Sequence, residues 1–453
     1  MAEEYRRPEK KSLRRVLGLP AALTIGLGTM LGAGIFVFPG LAGGRAGIGG
    51  AASFALAGSV AFLVALCMAE LSTAIPRSGG AYYFISRGLG ALWGSVTGTS
   101  VWLGLIFATG FYLVAFGRYM VDLLTGLGIA ADGSCDYSLV TGISAAVLLT
   151  GINIVGAGKA GKVQKYTVIL LVVIVTGFLA VGLLKTTGLT DDGSVSRELP
   201  DGSLSAILGT TALIFTSYLG FAQISNISGE VKKPDRNLPL ALGGSVLIAT
   251  VLYVLTMVVI TGEFTIDEMS GMGETAMLRL GRSLMGGKGT VLLTLAGLLA
   301  TVSSANASIL SSSRILFALG KDRMVPDWTT RVSDRYSVPY ASVIMTGVPV
   351  VMTMLLCDIE LLAQIASILH LLMYILICVS LVVLRRIRPK FYTPSFKLPF
   401  YIPLAAAGAL GCFTVVLFMD RTAQIASAVL IFASLIWYLA YASGRQTRRS
   451  RKK

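Results

Sequence analysis

Gly26, Gly28, Gly32 and Gly34 crowd the middle of the first long apolar run, Leu17 to Leu41. A helix in lipid must satisfy every backbone N–H and C=O internally, because hydrocarbon offers no partner. Glycine in a helix interior costs roughly 1 kcal/mol relative to alanine, so this run weakens where a membrane helix should be strongest. Open backbone at membrane depth persists only when buried in protein or facing a wet cavity. A second weak point stands at Tyr218-Leu219-Gly220-Phe221, in an apolar stretch near 215–228. Two interrupted spans in separate halves of one chain predict a polar binding site between them.

Hydrophobic residues make up 54% of the chain and charged residues 13%, against roughly 25% charged in soluble domains. The surplus lies in long uninterrupted runs, which predicts one continuous membrane body. The net charge of +15 does not point to nucleic acid, because lysine and arginine sit in alternate loops. Lys232, Lys233 and Arg236 form one cluster, Lys321 and Arg323 another, and Arg385, Arg386, Arg388 and Lys390 a third, with both tails basic. The intervening loops carry Asp191, Asp192, Asp267, Glu268, Asp358 and Glu360. This positive-inside pattern predicts a multi-pass protein of the cell membrane with both termini cytoplasmic. The basic tails are expected to meet anionic lipid head groups. No A-x-A site separates the basic N-tail from the first span, so no cleavable signal is expected. The five cysteines show no metal-ligand spacing.

Apolar runs of roughly 20 residues, the length a bilayer requires, recur about twelve times. Breaks in spans one and six predict an all-α membrane fold of two five-helix repeats, 18–185 and 204–384, facing opposite ways. Two accessory helices at 399–443 and basic tails at 1–17 and 444–453 complete the expected layout. Thr265 is placed to cap a short surface helix. The 76–80 segment, Pro76 to Gly80, predicts a sharp turn after span two.

Several pieces now point to a family. They are Gly32-Ala33-Gly34-Ile35-Phe36; Ala69-Glu70-Leu71 followed by Pro76-Arg77-Ser78-Gly79-Gly80-Ala81-Tyr82; Asn153-Ile154-Val155-Gly156; Tyr218-Leu219-Gly220-Phe221; Gly229-Glu230-Val231-Lys232-Lys233-Pro234; and Asn306-Ala307 with Ser313-Arg314 and Lys321-Asp322. In this order the chain resembles the amino acid permeases of the amino acid–polyamine–organocation superfamily, from about Arg15 to at least Pro326, with weaker hydropathic agreement beyond. The resemblance implies a LeuT-type inverted repeat that moves amino acids by alternating access.

Physical chemistry suits a zwitterion at such a site. N–H groups opening the second half of span one, after Gly32 at Ala33, Gly34 and Ile35, form an anion-binding helix start. The resemblance assigns the carbonyls of Met30, Thr216 and Leu219 to the ammonium. Ser217, Tyr218, Gly220, Phe221 and Ser308 are expected to shape the pocket. The family often places a carboxylate just after the span-six break for cationic substrates; here Ala222 stands there with Gln223 beside it. That departure favours a neutral amino acid. Glu70 and Glu230 are gate candidates, with Arg77, Lys232 or Arg314 as expected partners. Asn153 and Asn306 are expected to bond between helices.

No cofactor is expected beyond a coupled H⁺ or Na⁺. The family's span-five lysine has no counterpart, since Leu171 takes its place. Carbonyls of Gly28 and Leu31 opposite Ser303 and Ser304 resemble a sodium site, and His370, deep in a span, is the competing proton carrier. With one histidine and no nucleophile or metal cluster in the spans, no enzyme is expected. The alternatives are an exchanger, a polyamine or organic-cation carrier, and a nutrient sensor built on a transporter body.

Overall fold

The computed structural model describes residues 15, 17–75, 80–126, 135–155, 160–186, 204–333 and 338–443. Among them the elements are helical, joined by one isolated bridge between Leu17 and Val231. Nine helices are long and apolar enough to cross a bilayer, and a bent pair adds a tenth crossing. Tyr340–Leu356 and Tyr401–Leu417 are shorter apolar helices, which brings the count to the expected twelve.

The first crossing is α1 (Leu19–Met30) and α2 (Ala33–Ala46), which meet at 42°. α3 (Gly49–Ala74) returns, and a short α4 (Gly80–Gly88) lies before α5 (Ala91–Gly126). α6 (Cys135–Val155) and α7 (Ala160–Thr186) complete the first half. The sixth crossing is α8 (Leu204–Ile214), a 3₁₀ segment Phe215–Phe221 and α9 (Ala222–Asn226). α10 (Pro234–Glu263), α11 (Ile266–Met272) and α12 (Ala276–Lys321) follow. A left-handed Gly286 (φ 62°) divides a short opening segment of α12 from its crossing part. α13 (Tyr340–Leu356), α14 (Ile359–Ile387), α15 (Tyr401–Leu417) and α16 (Arg421–Trp437) finish the bundle.

Counterparts of the two halves lie side by side. α1 packs on the 3₁₀ segment, α3 on α10, and α5 on α12. Spans one and six, two and seven, and three and eight are therefore neighbours. Two repeats related by an axis through the bundle centre bring their counterparts together in this way. The expected interhelical amide bond is present: Asn153 Nδ2 donates to Asn306 Oδ1 at 2.7 Å. Thr265 caps α11 as expected, and Glu268 completes a capping box with it. Short α4 was not foreseen; its preceding turn, 76–79, lies outside the described residues.

One end of the bundle carries Lys232, Arg236, Lys321, Arg385 and Lys397. There Leu17 and Lys232 exchange backbone bonds with Glu230 and Leu17. The other end carries Arg118–Glu274, Arg45–Glu360 and Lys185–Glu263 ion pairs.

Candidate functional site

A cavity of about 650 Å³, its open mouth included, runs from mid-bundle toward the basic end. Its inner wall is Thr29 of α1, Leu105, Ala108 and Tyr112 of α5, Leu219 and Gly220 of the 3₁₀ segment, Ser308 of α12, and His370 of α14. These inner residues are all buried. Toward the mouth stand Tyr82, Gln223, Asn226, Ser311 and Ile315, all half-buried. The gradient of exposure fixes the opening at the basic end. Among the described residues, no Asp, Glu, Lys or Arg lines it.

The opposite end is closed. Phe38 of α2 stacks on Phe111 of α5 at 5.1 Å between ring centres. Tyr119 donates to the Phe36 carbonyl at 2.8 Å, and one residue away Arg118 pairs with Glu274. At the mouth, Tyr82 of α4 donates to Asp322 at 2.8 Å. Burial first, and then the Asp322 carboxylate, push the Tyr82 phenol well above its usual range, so it remains a donor.

Both breaks abut the inner wall. Gly32, with ψ −133°, leaves the helical region, and a Cβ there would lie 2.0 Å from Ser304 Oγ. The break is pressed onto α12, and only glycine fits. The second break differs from expectation. It tightens into a 3₁₀ turn over Phe215–Phe221 and does not open. Such a mid-span 3₁₀ stretch keeps most backbone bonds while changing their pitch, and often marks a hinge.

The expected site residues divide accordingly. Leu219 and Gly220 line the cavity. Met30, Gly32, Ala33, Gly34, Ile35, Thr216, Ser217, Tyr218 and Phe221 are buried beside it and do not line it. Tyrosines occupy several of these polar groups, and two of them, Tyr253 and Tyr374, sequence reasoning missed. Tyr253 of α10 donates to the Met30 carbonyl, with the Ser217 carbonyl 3.3 Å away. Tyr374 of α14 donates to the Leu219 carbonyl at 3.1 Å. The Tyr218 hydroxyl turns to the Phe54 carbonyl at 2.9 Å, and Thr216 bonds Ala363 and Ser367 of α14. Phe221 stacks on Tyr374.

Ser304 Oγ donates to the Gly28 carbonyl at 3.3 Å, so α1 and α12 bring these two sodium-site candidates together. Leu31 is buried beside them and Ser303 is half-buried. His370 stands on the cavity wall, with Nδ1 2.8 Å from the Ala366 carbonyl.

The gate candidates require a correction. Glu70 is fully buried but does not line the cavity, and among the described residues its cationic partner is Arg385, not Lys232 or Arg314. Arg385 donates to it from Nε at 2.6 Å and Nη2 at 2.8 Å. The Tyr392 hydroxyl and the Leu398 N–H add bonds of 2.6 and 2.7 Å. Arg314 is exposed, and Arg77 lies outside the described residues. The folded chain supplies the cation from α14. Burial and the bond to Glu70 raise the Tyr392 phenol above its usual range. Glu230 is half-buried, and its backbone carbonyl takes the Leu17 N–H at 3.0 Å.

A family model described as amino acid permease matches residues 17–441. The chain belongs to the amino acid permease family. The permease is similar to the branched-chain amino acid permease BcaP of Lactococcus lactis subsp. cremoris (strain MG1363), 29% identical over 98% of each chain. It is similar to the methylthioribose transporter of Bacillus subtilis (strain 168), 28% identical over 88% of each chain. The serine/threonine exchanger SteT of the same organism is 27% identical over 88% of this chain and 91% of its own. The permease is thus a multi-span membrane protein of amino acid transport. Its cavity draws on residues that sequence reasoning passed over, chiefly Thr29, Leu105, Ala108, Tyr112 and Asn226. The available signal was the run Gly94 to Gly104 in span three, rich in Gly, Ser and Thr.

Proposed function

We propose that the permease is a secondary transporter that moves a neutral amino acid by alternating access. Both termini are cytoplasmic in this reading, and the conformation described is inward-facing. One observation carries it: a cavity that reaches both broken spans, closed at one end, with no carboxylate among its lining residues. A lysine, arginine or polyamine would bring a cation into that wall without a counter-charge, at a cost of several kcal/mol. Ala222, where the family often has an acid, is part of the wall. The names of the similar branched-chain permease and serine/threonine exchanger support the same substrate class.

In this reading the substrate carboxylate meets the N–H groups of Ala33, Gly34 and Ile35. The ammonium meets carbonyls of Met30, Thr216 and Leu219 once Tyr253 and Tyr374 release two of them. The repeats 18–185 and 204–384 supply one break each. Coupling is assigned by gradient. Na⁺-driven uptake lost in Ser303→Ala/Ser304→Ala places it at Gly28, Leu31 and the serines. Proton-driven uptake lost in His370→Ala places it at the imidazole. Indifference to both gradients, with a need for internal amino acid, makes the protein an exchanger.

A thermal-shift panel on the purified protein tests the substrate class. A ligand at about a hundred times its Kd adds roughly 2.7 kcal/mol of stability. Neutral amino acids should raise Tm, while arginine, lysine and putrescine should not. A shift with the cations alone would overturn the reading.

A further inference from the structure

We propose that His370 sets side-chain specificity: its Nε2 accepts a hydrogen bond from a hydroxyl on the substrate, so the permease prefers a hydroxylated amino acid to its apolar isostere. This rests on the neutral-amino-acid reading above and sharpens it.

His370 projects from the middle of α14 and is 3% exposed. It shares the inner wall with Leu105 and Ala108 of α5 and Ser308 of α12. Its Nδ1 lies 2.8 Å from the Ala366 carbonyl, one turn earlier on the same helix. A carbonyl can only accept, so Nδ1 carries the hydrogen of that bond. On a neutral imidazole, Nε2 is then an acceptor.

The ring has a built seat. A Cβ added at Gly104 of α5 would stand 2.7 Å from Nδ1 and 2.8 Å from Cε1. The α5 backbone therefore lies against that edge, and the ring cannot tip back. With Nδ1 and Cε1 covered, Nε2 and Cδ2 are the atoms left to face the cavity. Among the described residues, no lysine or arginine lines the cavity to satisfy that lone pair. The other titratable groups on the wall are the Tyr82 and Tyr112 phenols; Tyr82 is committed to Asp322.

A substrate that seals Nε2 away from water without a donor leaves a buried acceptor unpaired. A substrate with a hydroxyl fills it. A site built to bond a substrate hydroxyl discriminates against the analogue lacking it, because the site's own polar group is orphaned. Threonine and valine are nearly the same shape and differ in just this group.

The test uses the full chain in proteoliposomes, with labelled valine counterflow and unlabelled threonine or valine as competitors. In His370→Leu, the threonine-to-valine affinity ratio should fall by roughly three- to tenfold, the worth of one hydrogen bond. His370→Gln keeps an acceptor at similar reach and should keep the preference. Gly104→Ala retains the imidazole but displaces it, and should lower the ratio as His370→Leu does. If His370→Leu does not fold, Gly104→Ala carries the measurement. A ratio unchanged from wild type in variants that still exchange valine overturns the proposal. Absence of exchange by any neutral amino acid in the wild type overturns the underlying reading as well.

Discussion

Removing the Glu70 carboxylate should be felt across the whole basic end. It accepts from two atoms of Arg385, from Tyr392 and from the Leu398 N–H, and so ties α3 to α14 and to the loop beyond. Glu70→Ala would leave Arg385 without its counter-charge and should cost roughly 3–5 kcal/mol. The measurement is Tm in detergent; an unchanged Tm would show that the cluster contributes nothing net. Gly34 makes a second case. A Cβ there would lie 2.7 Å from Ser217 Oγ and 3.1 Å from the Tyr253 hydroxyl. Gly34→Ala should therefore overpack the junction of the two breaks, cost about 1–3 kcal/mol, and suppress transport in protein that still elutes as a single species. Near-normal transport by that variant would remove the α2 start from the site. At this scale the sequence was legible where a residue acts through backbone, as at Gly32. It was opaque where a distant side chain decides. Nothing near Glu70 in sequence points to Arg385, and nothing near Met30 points to Tyr253.

Among elements, the positions of both breaks could be read from glycine placement, but their forms could not. A weak helix can loosen or tighten. Leu31-Gly32 opens into a 42° bend, whereas Phe215–Phe221 tightens into 3₁₀. Among the described residues, the second segment has partners on α14 that the first lacks: Tyr374 holds the Leu219 carbonyl and Ser367 the Thr216 hydroxyl. Span number and order followed from apolar run length, because a bilayer fixes that length. The cavity lining from α5 did not follow, since a buried helix is apolar on every side and shows no preferred face. Sidedness is predicted from the lysine and arginine bias. In a cysteine-free background, Asp267→Cys should react with an impermeant thiol reagent added outside intact cells, and Lys397→Cys should not. The reverse pattern would invert the molecule.

For the whole molecule, the alternating-access reading makes this conformation one half of a cycle. The closed end is held by the Phe38–Phe111 stack, the Tyr119 bond and the Arg118–Glu274 pair, while the cavity opens at the basic end. Opening the far end requires those contacts to part, and closing the near end requires α4 and the tip of α12, now joined by Tyr82 and Asp322, to move over the mouth. In that reading the hinge lies where the counterparts pack pairwise about the centre. The absence of charged side chains among the described lining residues predicts which substrates are carried. The most direct measurement is counterflow in proteoliposomes preloaded with one unlabelled amino acid and offered labelled valine outside. Preloaded valine or threonine should drive rapid, transient accumulation of label, and preloaded arginine should not. Accumulation driven by arginine, or none with any neutral amino acid, would contradict the account.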